Sequence, residues 1–224
     1  MIIAIDGPSG AGKSTIAKAA AKRLGFSCLD TGAMYRSIAW QALQLGVSLE
    51  DEEALGQVAR SYDIEFVHNP GDPAPAKVLI GGADVTRAIR TAEIDKAVSP
   101  TSAAPSVRAA LLDQQRRIGN AGDYVVEGRD IGTVVFPDAA VKVFLTASDE
   151  ERARRRVAQN AERGVGSTNY KEVLADLIRR DKADSTRAAA PLRAADDAVL
   201  IDSTALSFEE VLDRICRLAE EARA

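Results

Sequence analysis

The 224-residue sequence has one histidine, two cysteines and ten aromatic residues, and nowhere a run of 18 apolar residues. Each scarcity excludes something. With no long apolar run, no helix is expected to span a bilayer. The opening stretch Met1-Ile2-Ile3-Ala4-Ile5-Asp6 enters a strand-like run at once, with no basic leader before an apolar signal. The expectation is a soluble, cytoplasmic protein with no membrane partner. Cys28 and Cys216 stand far apart, outside any metal-ligand spacing, and read as reduced packing residues. So few aromatics leave the core to aliphatic side chains. Lysine plus arginine number 29 against 33 acidic residues, a net charge of −4, so no overall field draws nucleic acid. The single histidine, His68, falls in the Pro/Gly-rich loop His68-Asn69-Pro70-Gly71-Asp72-Pro73, where a solvated role is expected, so histidine general-base chemistry is disfavoured.

What remains is an ordinary globular composition, 46% apolar and 28% charged, and a length that suits one compact, monomeric domain. The cations have a bias: 21 of 29 are arginine, and 13 of those lie between positions 108 and 193. The guanidinium fork binds phosphate bidentately, so a local anion site fits the bias even without a global field.

Apolar runs of strand length occur near 2–5, 26–29, 123–126, 141–145 and 198–201. Helical periodicity is found at 14–23, 33–45, 50–60, 105–118, 149–162, 170–187 and 207–221. Short strands buried on both faces and alternating with helices predict an α/β fold around a parallel sheet. One stretch breaks the rhythm. Asp63–Val67 and Lys77–Ile80 predict an antiparallel hairpin, with Gly81-Gly82 closing its second strand, inside an insert spanning about 58–98.

The chemistry starts at Gly7-Pro8-Ser9-Gly10-Ala11-Gly12-Lys13-Ser14, followed by Thr15. Two glycines, a lysine and a hydroxyl residue at this spacing, between a strand and a helix, form the nucleoside triphosphate-binding loop. Its backbone N–H groups and helix N-terminus cradle phosphates, Lys13 would hold the β- and γ-phosphates, and Ser14 would ligate Mg²⁺. The loop says little about what receives the phosphate. An acceptor that is itself a phosphate monoester has a second pKa near ~6, so its attacking oxygen is ionised at neutral pH without a base. An alcohol acceptor would call for a carboxylate, and that option stays open. The run Arg152-Ala153-Arg154-Arg155-Arg156 would place two or three guanidiniums over nucleotide phosphates, or else form a solvated helix face.

Further blocks narrow the choice. Asp30-Thr31-Gly32-Ala33-Met34-Tyr35-Arg36, Ser99 with Pro105-Ser106-Val107-Arg108, Glu127-Gly128-Arg129-Asp130-Ile131-Gly132-Thr133, and Arg180-Asp181 through Asp184, Arg187 and Ala190-Pro191-Leu192 together resemble bacterial cytidylate (CMP) kinases along nearly the whole chain. The resemblance implies the P-loop kinase three-layer fold, with a five-stranded parallel sheet, an acceptor-binding insert containing a small antiparallel sheet, and a short lid at about 150–168. It implies transfer of the γ-phosphate of ATP to CMP or dCMP with Mg²⁺. By the same resemblance Thr31, Arg36 and Arg129 would hold the acceptor's phosphate, with Asp30 and Tyr35 in the same site. Ser99, Arg108 and Asp130 would surround cytosine, and Arg180 and Asp184 would meet the sugar. Lys13, Arg129, Arg155 and Arg187 would act on the transferring phosphate. Two alternatives are a kinase for a sugar or shikimate-like alcohol and a GTP-binding switch. A paired Arg36 and Arg129 argue against the first. The absence of an Asn/Thr-Lys-x-Asp tetrapeptide argues against the second.

Overall fold

A computed structural model describes residues 1–223. Five strands, β1 (Ile2–Asp6), β2 (Ser27–Asp30), β6 (Tyr124–Gly128), β7 (Val141–Thr146) and β8 (Val199–Asp202), form one parallel sheet in the order β2-β6-β1-β7-β8. The helices α1 (Lys13–Leu24), α2 (Thr31–Gln44), α3 (Glu52–Ser61), α5 (Pro105–Gly119) and α8 (Phe208–Glu221) cover its two faces, as the alternating pattern predicts.

Strand periodicity explains why the sheet has two cores. Ala4, Leu29 and Val126 point into one, with Met34 and Ile38 of α2 and Leu111 of α5. Their neighbours Ile3, Ile5, Cys28 and Val125 point into the other, with Ile16 of α1 and Ile215 of α8. Cys28 and Cys216 are both buried, unbonded members of this second core. No helix among the described residues is long and apolar enough to cross a membrane.

The insert carries a separate antiparallel sheet of β3 (Ile64–His68), β4 (Pro75–Ile80) and β5 (Ala83–Asp84). Gly81-Gly82 closes the second strand, β4, as expected. The pair turns the chain into a third strand too short to register as an apolar run. A helix the sequence pattern missed follows: α4 (Ala92–Ala103), capped by the Thr91 side chain on Ile94 N–H at 3.3 Å. Pro100 interrupts its pattern, yet lies late enough that most of the helix's hydrogen bonds form before it. The expected insert boundary near 98 therefore falls inside a helix. The remaining two helices, α6 (Asp149–Arg163) and α7 (Tyr170–Thr186), pack together through Ala153, Val173 and Leu177.

The parallel registry aligns strand ends. Asp6 pairs with Gly128, and Asp30 with Glu127. β1 lies between β6 and β7, so the chain leaves the sheet in opposite directions on either side of it, and the crevice at such carboxyl ends is where open α/β sheets bind ligands.

Candidate active site

At that crevice lies a cavity of about 1270 Å³, larger than the roughly 300–1,000 Å³ usual for a single small ligand. Ser9–Thr15 line one end, and Arg108, Asp130 and Arg187 the other, with Arg36, Arg129 and Arg180 also on its wall.

The phosphate loop keeps its shape through glycine. Gly7 adopts φ +148°, and a β-carbon there would lie 1.9 Å from the Leu145 carbonyl oxygen, so no other residue fits. Gly7 and Pro8 form the loop's base and do not line the cavity. Pro8 contributes its carbonyl, which accepts from Lys13 Nζ at 2.8 Å and folds the lysine back over the loop. Burial, then the positive charge of Arg129, pulls Lys13 well below the ordinary lysine range. A bound polyanion would reverse that cost.

The strand ends place carboxylates beside this loop. Asp6 Oδ1 and Oδ2 accept the N–H groups of Ile131 and Gly132 at 2.8 and 2.7 Å, pinning the Arg129–Thr133 block to β1. Burial raises Asp6 to a pKa of about 6 despite those bonds. Glu127 is fully enclosed, and burial followed by the charge of Asp30 raises it to about 7, with Lys13 and the Ser14 hydroxyl pulling the other way. Its Oε1 is buried without a hydrogen-bond partner. Such an orphaned carboxylate oxygen beside the Ser14 hydroxyl is the oxygen-only, partly open donor set that Mg²⁺ takes alongside phosphates.

The block at 30–36 divides its work. Asp30 caps α2 by accepting from Ala33 N–H at 2.9 Å and binds Arg90 at 2.8 Å. Burial opposes its charge, but Arg90 and the cap hold the carboxyl below its usual range. Thr31 donates its hydroxyl to the Glu127 carbonyl at 2.7 Å, so that hydrogen is committed to the backbone. Arg36 reaches across to Asp95 of α4 at 2.6 Å. Tyr35 is buried, its ring 5.3 Å from the Arg108 guanidinium.

Arg108 and Asp130 form a buried ion pair, and Asp130 also faces Arg187 at 3.6 Å. Arg187 thus sits beside the Arg108–Asp130 pair, its Nε donating to the Ala190 carbonyl at 2.7 Å. Arg180 lies elsewhere on the cavity wall. Its charge and that of Arg129 bear on Lys13, and burial followed by Arg129 and Arg36 lowers it to a pKa of about 10. The two arginines are seven positions apart, Arg180 within α7 and Arg187 just past its last residue Thr186 in extended backbone, so their guanidiniums meet different neighbours. Arg180 Nε is buried without a hydrogen-bond partner. Asp184 accepts from Arg129 Nε at 3.0 Å.

Ser99 is not brought to the cavity. It lies on α4 between Val98 and Ser102, which are the α4 side chains on the wall at that point, and Ser102 gives its carbonyl to Arg108 at 3.0 Å. The arginine run also separates. Arg154 is exposed and paired with Glu151. Arg155 binds Glu151 at 2.9 Å and the Ser203 hydroxyl and carbonyl at 2.9 and 2.7 Å, next to the phosphate loop. Arg156 pairs with Asp95 at 3.0 Å, and Arg152 is buried beneath the loop. Two residues escaped the sequence reading: Arg90 and Asp95, both on the cavity wall. Their signal was spread across an insert whose pattern spoke of strands. Among the described residues no cluster of three or more histidine, cysteine or acidic side chains is arranged to hold a metal.

The comparisons agree with this geometry. The family described as "Cytidylate kinase" matches residues 3–221. A cytidylate kinase of Saccharophagus degradans is 49% identical over 98% of this chain and 97% of its own length. One from Geobacter sp. strain M21 is 50% identical over 100% and 94%, and one from Bacillus subtilis 47% identical over 98% and 96%. Among solved structures, an uncharacterized protein from Eubacterium ventriosum shares the fold, at 14% identity and a TM-score of 0.50 over 98% of each chain. A match this long, carrying its motifs at the mouth of one arginine-lined cavity, is membership: the chain belongs to the cytidylate kinase family.

Proposed function

We propose that this protein transfers the γ-phosphate of ATP to CMP or dCMP, giving ADP and the diphosphate. One observation carries the reading: a single cavity runs from the phosphate loop to the Arg108–Asp130 pair, with Arg180, its Nε lacking a hydrogen-bond partner, on its wall. Two anionic ligands brought end to end would fill that space and supply countercharge.

In this reading Ser9–Thr15 and Lys13 hold the donor phosphates, and Arg155 lies over the donor side. Ser14 and Glu127 would hold Mg²⁺, which would supply countercharge to the donor phosphates. Arg36, Arg129 and Arg180 take the acceptor's phosphate. Cytosine offers an exocyclic amine beside ring acceptors, matching one carboxylate and one cationic donor, which Asp130 and Arg108 provide. Asp184 accepts from the sugar hydroxyls, and α6 with the loop to 168 acts as the lid. The acceptor oxygen is already ionised, so the chain's task is alignment and charge stabilisation, with water excluded. A protein base is not required.

The test is ADP formation with CMP, dCMP, UMP, AMP and shikimate in parallel, with and without Mg²⁺. Transfer to CMP and dCMP, lost without Mg²⁺, is expected. Equal or greater transfer to shikimate would overturn the reading.

A further inference from the structure

The buried Arg152 of α6 and Asp181 of α7 grip the backbone of a single residue of the phosphate loop, Ser9. Asp181 Oδ1 accepts the Ser9 N–H at 3.1 Å. Arg152 Nη1 donates to the Ser9 carbonyl at 2.7 Å, and the same nitrogen pairs with Asp181 Oδ2. The guanidinium is held in turn by the Ala147 carbonyl at 3.1 Å and by Asp149. Both backbone groups of Ser9 are thus fixed by side chains from outside the loop. The Arg152 side chain is only 4% exposed, so this is a charge buried for a purpose other than display.

The neighbour in sequence makes the arrangement consequential. Arg180, immediately before Asp181, turns into the cavity, about 100° round the helix from it. One helix therefore touches the donor's loop with one residue and presents a guanidinium to the acceptor side with the next. Any slide of α7 against the loop would move Arg180 relative to Lys13.

We propose that Arg152 and Asp181 are positioning residues that fix the register between the phosphate loop and Arg180, and so the alignment of donor and acceptor. The inference rests on the phosphoryl-transfer reading above. An ion pair that served stability alone would not need to bond both backbone groups of one loop residue. A pair that served ATP binding alone would not need to sit next to the acceptor-side arginine.

Steady-state kinetics of Asp181→Asn tests this. The amide keeps the shape and an acceptor for the Ser9 N–H but removes the charge that orients Arg152. The expected result is a kcat at least 10-fold lower, with KM for ATP and for CMP each within 3-fold of wild type, and with the folded fraction checked by thermal unfolding. Arg152→Gln should lower kcat similarly, and the double variant should be little worse than the poorer single, because both act through the backbone of one residue, Ser9. If Arg152→Gln does not fold, Asp181→Asn decides alone. An unchanged kcat per folded molecule would overturn the proposal, as would a rise in KM for ATP at constant kcat. A wild-type protein that transfers to no nucleotide would instead overturn the function reading, and the wild-type control separates the two failures.

Discussion

Arg129 Nε donates to Asp184 Oδ2 across 3.0 Å, joining the end of β6 to α7 over the floor of the cavity. The guanidinium's other nitrogens stay free for an anion, apart from a 3.4 Å contact with the Gly128 carbonyl. Replacing Arg129 by alanine removes a charged donor from the acceptor phosphate and leaves Asp184 buried and partly unpaired. With hydrogen bonds to charged groups contributing about 1.5–3 kcal/mol, kcat/KM for CMP should fall roughly 10- to 150-fold, measured by coupled ADP release. A change under threefold would mean the residue does not touch the acceptor.

Base choice should follow the Arg108–Asp130 pair. Uracil sets an oxygen where cytosine sets an amine, so Asp130 would face an acceptor with an acceptor, a mismatch of about 1–3 kcal/mol when buried. UMP should therefore show a kcat/KM at least 5-fold below that of CMP. Asp130→Asn, which can donate there, should narrow the ratio while lowering CMP turnover. Competition between the two nucleotides in one assay measures the ratio directly, and equal efficiencies would sink the assignment.

Stability should fall with rising pH in the nucleotide-free protein. Glu127 is raised from 4.5 to about 7 and Asp6 from 3.8 to about 6, both chiefly by burial. Each therefore keeps its proton in the folded chain where the unfolded chain has lost it, so the stability it contributes is present at the acid side and is lost as pH climbs through the folded value. The window is pH 4.5 to 7 for Glu127 and 3.8 to 6 for Asp6. Asp30 and Asp95 are held below 3.8 and act at more acid pH. Glu127→Gln should flatten the change in thermal midpoint between pH 5 and 7, removing on the order of 2–3 kcal/mol of it. An unaltered slope would show that Glu127 ionises freely.

Asp95 ties three elements, with Arg36 of α2 at 2.6 Å and Arg156 of α6 at 3.0 Å. Asp95→Asn should loosen α6 and speed limited proteolysis between 150 and 168 several-fold without nucleotide. A bisubstrate mimic joining adenosine to cytidine through phosphates should restore protection. Cleavage unaffected by either change would argue that this segment does not move.

The strand–loop–helix order, the nucleotide loop and the arginine-bearing blocks were readable from the chain because each is local: period, glycine placement and cap residues act within a few positions. The five core strands and seven of the eight helices follow the expected spans to within two residues. The missing helix, α4, was masked by Pro100, and β5 by being two residues long. Site chemistry was less legible where it depended on direction. Nothing in one dimension says that Arg180 turns toward Lys13 while Arg187 turns toward Asp130, that Ser102 and not Ser99 faces the cavity, or that Arg152, Arg155 and Arg156 of one short run reach Asp181, Ser203 and Asp95. Those outcomes come from helix phase and from which elements pack across the sheet, and so do the contacts that join Asp95, Arg152 and Asp181 to one another's elements and to the phosphate loop, 29 to 172 positions away in sequence. Composition and local pattern determined the kind of protein and its phosphate chemistry. Which charges meet in the cavity was left to tertiary packing, because burial of a charge is settled only when its distant countercharge arrives.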